Sequence, residues 1–217
     1  MYQPSHGGFA VRDPAALLGE LSAGVSATLV TVSGGRLAAT ILPMLYDRGD
    51  GPLGTLRGHL ARENPQWRDL DPGVDALALF DGPEAYVSPR HYPSTRASGR
   101  HVPTWNYVTV QAAGPLTVLE DAAWLREVVG RLTDRHEAGA PRPWSADSAP
   151  PDYLRGQLRA IVGVELRVGR LEAKRKLSQN RDPRDAAEVI ASLAAGTPEE
   201  RAVAEEMARA AAPARDR

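Results

Sequence analysis

Residues 25–42 read VSATLVTVSGGRLAATIL. The first eight are dense in β-branched side chains, which suit a pleated, half-buried surface. Ser33-Gly34-Gly35 supplies a turn, and residues 36–42 form the partner strand. Pro43 then limits pairing at the strand's exit, because its nitrogen has no hydrogen to donate. Two strands joined through so short a turn run antiparallel, so the chain is built from hairpins rather than from strand–helix–strand crossovers.

The pattern extends both ways. Upstream, Asp13-Pro14 before AALLGEL opens a short helix, with Asp13 as its cap. Downstream, residues 52–57 predict a strand, and residues 58–69, GHLARENPQWRD, predict a helix that Pro65 breaks or kinks. Residues 74–80 and 84–88 predict strands around the turn Asp81-Gly82-Pro83. Residues 89–104 hold three prolines and read as irregular. Strands follow at 105–112 and 115–119, then a helix at 121–137, where Trp124, Leu125, Val128, Val129 and Leu132 recur at helical spacing. A proline-rich loop at 140–151, a short helix near 152–159 and a strand at 161–168 complete the body. Asp182 caps a helix from Pro183 through Leu193, and Thr197-Pro198-Glu199-Glu200 is a capping box that opens the last helix. About seven short strands with few helices between them predict a mostly β, α+β fold: an antiparallel sheet or barrel with helices at its ends. The expected division is one domain over residues 1–180 and a helical extension over 181–217.

Composition narrows the function. The 217 residues are 42% hydrophobic and carry a net charge of −1, enough for a packed core and too balanced for a surface coated against nucleic acid. DNA as a partner therefore needs a local patch or a dimer groove. There is no cysteine, so disulfides and thiolate metal sites are excluded, and a reducing cytoplasm is the expected home. No apolar run is long enough to span a membrane, and the start, MYQPSHGGFAVRD, does not read as a signal peptide. The richness in Ala, Arg, Gly and Pro points to a high-GC bacterial gene.

Several motifs fail on context. Gly49-x-Gly51-x-x-Gly54 matches a dinucleotide fingerprint in spacing, but Pro52 and a strand-like PLGTL follow it rather than a helix. His6, His59, His91, His101 and His136 are dispersed, with none at zinc-ligand spacing, so no metal site is expected. A haem needs only one axial histidine and stays open.

Three motifs carry chemistry. GTLRGHLARENPQW, residues 54–67, reads as a strand entering a helix at Gly58, a ready phosphate site with Arg57, His59 and Arg62 nearby; an ordinary strand–helix corner reads the same way. VPTWNYVTV, residues 102–110, puts Trp105 and Tyr107 on one face, able either to stack a flat ring or to pack in a core or interface. RLEAKRKLSQNR, residues 170–181, is basic at five of twelve positions and closes in Ser178-Gln179-Asn180, whose side chains donate and accept hydrogen bonds beside cations. If its strand continues, Lys174 and Lys176 share a face and Arg175 points the other way, into solvent.

Taken together, MYQPSHGGF, GPLGTLRGHLARENPQW, AYVSPRHYP, HVPTWNYVTV and LRAIVGVELRVGRLEAKRKLSQNR resemble the PaiB-like family, the FMN-binding negative transcriptional regulators. The blocks stand in the family's order over roughly residues 1–190. The resemblance implies an antiparallel split β-barrel like that of the pyridoxamine-phosphate oxidases, with peripheral and C-terminal helices, FMN as cofactor and a homodimer. It implies a phosphate site on Thr55, Leu56, Arg57, Gly58, His59 and Asn64-Pro65, and backbone at Ile41 and Leu42 facing the isoalloxazine ring. Sites of this fold lie between subunits, so Trp105, Asn106, Lys174, Lys176, Ser178 and Gln179 would close the pocket from the partner chain. The expected function is that of a dimeric FMN-binding regulator. An FMN-dependent oxidoreductase acting on a small molecule, with His59 and His101 as the suggestive acid–base candidates, is one alternative. A split barrel holding haem or another ligand without flavin is the other. DNA is a candidate partner, though direct binding lacks support: the last helix carries Glu199, Glu200, Glu205 and Glu206, which repel phosphates.

Overall fold

The computed structural model describes residues 1–3 and 8–211. His6, and with it the middle of MYQPSHGGF, lies outside the described residues. In chain order the elements are α1 (Pro14–Gly24), β1 (Ala27–Ser33), β2 (Arg36–Leu42), β3 (Leu45–Asp47), β4 (Thr55–Ala61), β5 (Ala76–Val87), α2 (Pro93–Ser98), β6 (Thr104–Gly114), β7 (Leu116–Leu119), α3 (Ala122–Glu137), α4 (Pro151–Arg159), β8 (Ile161–Arg167), β9 (Arg170–Lys176), α5 (Pro183–Ala194) and α6 (Pro198–Ala211). Short 3-10 turns stand at Pro65–Trp67, Pro89–His91 and Ala146–Ser148. Among the described residues no helix is long and apolar enough to cross a membrane. The chain forms two compact units, here called central (Asp13–Phe80, Val110–Glu172) and terminal (Met1–Arg12, Asp81–Thr109, Ala173–Arg217).

In the central unit the opening hairpin forms as its sequence dictates. β1 and β2 pair antiparallel from Ala27↔Leu42 to Ser33↔Arg36. Gly34 and Gly35 turn the chain with φ of 55° and 72°, the left-handed pair that a two-residue hairpin turn needs. Asp71 fastens the turn by accepting both of their backbone N–H groups, at 2.8 and 2.9 Å. β1 also pairs with β5 antiparallel, Thr28↔Leu79 to Val30↔Leu77. A second antiparallel sheet runs β3-β4-β8-β7. Its longest ladder joins β4 to β8 from Thr55↔Arg167 to Ala61↔Ile161. α3 packs Val128 and Leu132 against Leu45, with Trp124 alongside. A Cβ on Gly163 would lie 2.2 Å from the Trp124 ring, so only glycine lets this helix reach β8.

In the terminal unit β5, β6 and β9 are neighbours in that order. The N-terminal segment runs beside β9: Ala10 bridges Lys174, Arg175 N donates to Phe9 O at 3.0 Å, and Gln3 Nε2 donates to Ala173 O at 3.0 Å. Asp182 caps α5 at Arg184 N. The predicted capping box forms at α6, with Thr197 N donating to Glu200 Oε2 and Glu200 N to Thr197 Oγ1. Asp185 is buried and accepts from Ser94 N and Ser94 Oγ, which ties α5 to α2.

Three expectations are corrected. Residues 58–69 are not a helix: β4 continues through His59 to Ala61 because β8 pairs with every residue of it, and only a 3-10 turn forms at Pro65–Trp67. Residues 74–88 hold one strand, β5, instead of two around Asp81-Gly82-Pro83. Gly82 does not take the positive φ of a tight turn, and Thr109 Oγ1 on β6 donates to Asp81 across the strands at 2.8 Å. Residues 89–104 are not wholly irregular, since Pro89 and Pro93 each start a helical turn.

Candidate functional site

The expected phosphate group of residues lies in the central unit, along β4. Thr55 and Leu56 are buried, and Thr55 Oγ1 donates to Asp50 O at 2.8 Å. Arg57 is taken up by acids. Its Nε donates to Glu165 at 2.7 Å, and its two terminal nitrogens reach Asp47 and Asp50. Burial works to lower the Arg57 pKa, but Glu165, Asp50 and Asp47 together raise it. Asp47 also accepts from Arg131, and the arginines, Arg131 foremost, hold its carboxyl below the usual range. Gly58 stands mid-strand, where a Cβ would lie 3.0 Å from Pro43 O. It opens no helix, so the N–H cradle expected there is absent.

His59 follows, with its imidazole pKa pushed down by burial. Its Nδ1 is buried without a hydrogen-bond partner among the described residues. With Pro43, Val129, Leu132, His136 and Trp144 it lines a cleft of about 310 Å³. Asn64 and Gln66 serve the fold. Asn64 Oδ1 accepts from Gln66 N, Asn64 Nδ2 donates to Thr40, and the buried Gln66 Nε2 donates to Leu29 O at 2.9 Å and Ala38 O at 3.3 Å. The NPQ run thus pins its loop to the opening hairpin. On β2, Ile41 is 74% exposed, and Leu42, facing the other way, is buried.

The remaining expected residues lie in the terminal unit and do come together. Side chains alternate across a strand. On β6, Trp105 is exposed while Asn106 is fully buried. Tyr86 of β5 meets Trp105 edge to face, with ring centroids 6.2 Å apart. Lys174 and Lys176 share a face as expected, their Nζ atoms 5.7 and 5.9 Å from the centre of the Tyr107 ring. Lys174 is only 6% exposed; its ammonium donates to Tyr2 O at 3.1 Å and lies near the Tyr2 and Phe9 rings. Lys176 donates to Thr104 Oγ1 at 2.6 Å and to Trp105 O. Among the described residues neither amine forms an ion pair with a carboxylate. Burial first, then Lys174 and Arg181, push the Lys176 pKa down. An amine so placed is short of negative charge.

The other three expected wall residues are turned inward or into their own turn. Asn106 Oδ1 accepts from Ser178 Oγ at 3.1 Å, and its amide faces Met207 Sδ at 3.3 Å. Gln179 closes on the chain beside it, accepting from Leu177 N at 2.7 Å and donating to Arg175 O at 2.5 Å. Arg175 is not a solvated residue: it leaves the lysine face, as alternation requires, but ion-pairs with the buried Glu206 of α6 at 3.2 Å. Sequence reasoning left Tyr86, Thr104, Tyr2 and Arg181 out of the site. Tyr86 was within reach, since its strand places it two residues from Glu84 on the polar side of an alternating run.

Residues 1–170 match the family model described as "Putative FMN-binding domain". The chain belongs to that family. Among its relatives is "Protease synthase and sporulation protein PAI 2" of Bacillus subtilis (strain 168), 36% identical over 166 residues that cover 76% of this chain and 77% of that protein. Two solved structures are similar. The flavocytochrome Anf3 from Azotobacter vinelandii aligns with a TM-score of 0.58 at 14% identity, over 82% of this chain and 73% of that one. The FAD and heme binding protein from Mycobacterium smegmatis aligns with a TM-score of 0.54 at 19% identity, over 87% and 80%. At these identities the likeness is one of fold. The fold is the split β-barrel class: antiparallel sheets with peripheral and C-terminal helices.

Proposed function

We propose that this member of the FMN-binding family holds FMN on the open sheet face of its terminal unit and works as a dimeric regulator of transcription. One observation carries the site: two lysines without carboxylate partners among the described residues, next to an exposed indole. Ammonium groups in that state seek a phosphate or an electron-rich carbonyl edge. Trp105 and Tyr86 offer flat surface to an aromatic ring system. Lys176 and Trp105 are the residues we assign to the cofactor, with the buried Lys174 standing behind Lys176 on the same strand face. Arg57 is set aside as a phosphate ligand, since its donors are spent on Glu165, Asp47 and Asp50. When bound, FMN would supply a redox-active ring whose state biases the protein between conformations. The regulatory role rests on kinship with the PAI 2 protein and on the PaiB-like blocks.

The test is a titration of the purified protein with FMN, followed by flavin fluorescence and absorbance. Saturable quenching in the wild type, weakened at least about tenfold in Lys176→Met, is the expected result, since one charge-assisted contact is worth that much. No quenching, or equal quenching in both proteins, rejects the site.

His59 favours a second reading, a barrel that binds haem or another ligand without flavin. Burial keeps its imidazole neutral, the form that ligates iron, and its Nδ1 has no partner among the described residues. A Soret band on adding haemin, lost in His59→Ala, supports that reading, and a flat difference spectrum removes it.

A further inference from the structure

The segment after β9 takes a shape that its sequence does not favour. Ser178 sits at φ 63°, one of two non-glycine residues with positive φ among the described residues. A serine there is strained unless its surroundings hold it. Four bonds do so. Ser178 Oγ donates to Asn106 Oδ1, Arg181 N donates to Ser178 O at 3.0 Å, Gln179 Oε1 accepts from Leu177 N, and Gln179 Nε2 donates to Arg175 O. The Asn106 bond is the only one of the four that reaches β6. It is fully buried and ties the end of β9 to β6. One residue before Asn106, and two before Ser178, the same two strands are crossed again, by Lys176 reaching Thr104 Oγ1 and Trp105 O.

We infer that Asn106 and Ser178 are positioning residues that never touch the ligand: their buried bond clamps β6 and β9 in the register that presents the Lys176 amine beside Trp105. The ligand in this inference is the FMN of the reading above, but the clamp is a property of the free protein. The polar ending of the KRKLSQNR block is thereby divided by role. Lys176 binds with the buried Lys174 behind it, Ser178 and Gln179 hold the turn that follows, and Asn106 receives the turn from the neighbouring strand. A Ser178 acting merely as a filler would leave Lys176 undisturbed when altered. The clamp predicts that Lys176 feels the loss.

Two measurements decide this. First, the Lys176 pKa is followed by ¹³Cε chemical shift in ligand-free protein, with Lys176→Arg to assign the signal. Ser178→Ala and Ser178→Gly should both move it up toward the ordinary lysine value of 10.5. Glycine suits φ 63° and so separates the lost hydroxyl from backbone strain. An unmoved Lys176 signal in folded Ser178→Gly overturns the clamp, as does a shift confined to Ser178→Ala. Second, FMN affinity is measured in a double-mutant cycle. Ser178→Gly should weaken binding about five- to tenfold when Lys176 is present and hardly at all in the Lys176→Met background, because residues acting through one group are not additive. Additive losses would make Ser178 an independent contact and end the proposal. If Lys176→Met itself leaves FMN binding unchanged, the cofactor site fails, and the clamp is judged by the free-protein signal alone.

Discussion

Burial, Lys174 and Arg181 hold the folded pKa of Lys176 below the unfolded value of 10.5. Between those two values the unfolded chain carries the proton and the native protein does not. Stability therefore rises with pH across that window and is flat with respect to this group below it. Anion binding moves the opposite way, since the amine must be charged to attract a phosphate. FMN affinity should fall as pH climbs through the same window, and dissociation constants measured from neutrality upward in wild type and Lys176→Met test it. A wild-type curve as flat as that of the variant refutes the charged contact. At this scale the sequence was informative about direction: the alternation of Lys174, Arg175 and Lys176 separated the two amines beside Tyr107 from the third cation. It said nothing of Glu206, the partner that buries Arg175, because no local pattern links a strand to a helix so far along the chain.

β4 shows how an element can outrank its motif. GTLRGHLARENPQW holds the glycine, the basic residues and the Asn-Pro of a strand–helix phosphate corner, and helix spacing can be drawn through it. Pairing with β8 along its whole length decides otherwise, and Arg57 becomes the hub of an acid cluster from β3, the following loop and β8. Arg57→Met should leave three carboxylates without their shared partner and destabilise the protein by less than the roughly 3–5 kcal/mol that breaking a fully buried pair costs, because all four side chains keep some contact with solvent. Its FMN affinity should stay within about twofold of wild type, well under the effect of losing one charged contact. Urea unfolding and FMN titration on the same preparation check both halves, and a stable variant that has lost FMN would return Arg57 to the cofactor. Elements with local signals were legible: the opening hairpin, the α3 stripe and the α6 capping box formed within a residue or two of expectation. β3 was missed because three residues carry too short a pattern to read.

For the whole molecule the open question is the partner. β2 stands last in its sheet order and exposes Leu37 and Ile41, 77% and 74% open, on one face by alternation. Two large apolar side chains on a sheet edge are the surface that a second copy of this chain would cover in the proposed dimer. The double variant Leu37→Glu, Ile41→Glu should halve the mass seen by light scattering while keeping the far-ultraviolet signature of the fold. A variant of unchanged mass places the interface elsewhere. Sequence order gave the inventory of family-like blocks but not their meeting points. That the stretch around Phe9 lies against Arg175 follows only from the assembled strand.

The terminal unit is stitched from three separate lengths of chain, and this sets a timetable for its synthesis. Phe9 and Ala10 leave the ribosome long before Arg170, where the strand they lie against begins. Closing so long a loop is entropically slow. Tyr2, Phe9, Tyr86 and Trp105 all emerge before Lys174 and Lys176, so a growing chain shows its aromatic side chains to chaperones and to other nascent chains until β9 arrives. A message that stalls or ends before Arg170 would therefore release a product in which Phe9 and Ala10 have no strand to join.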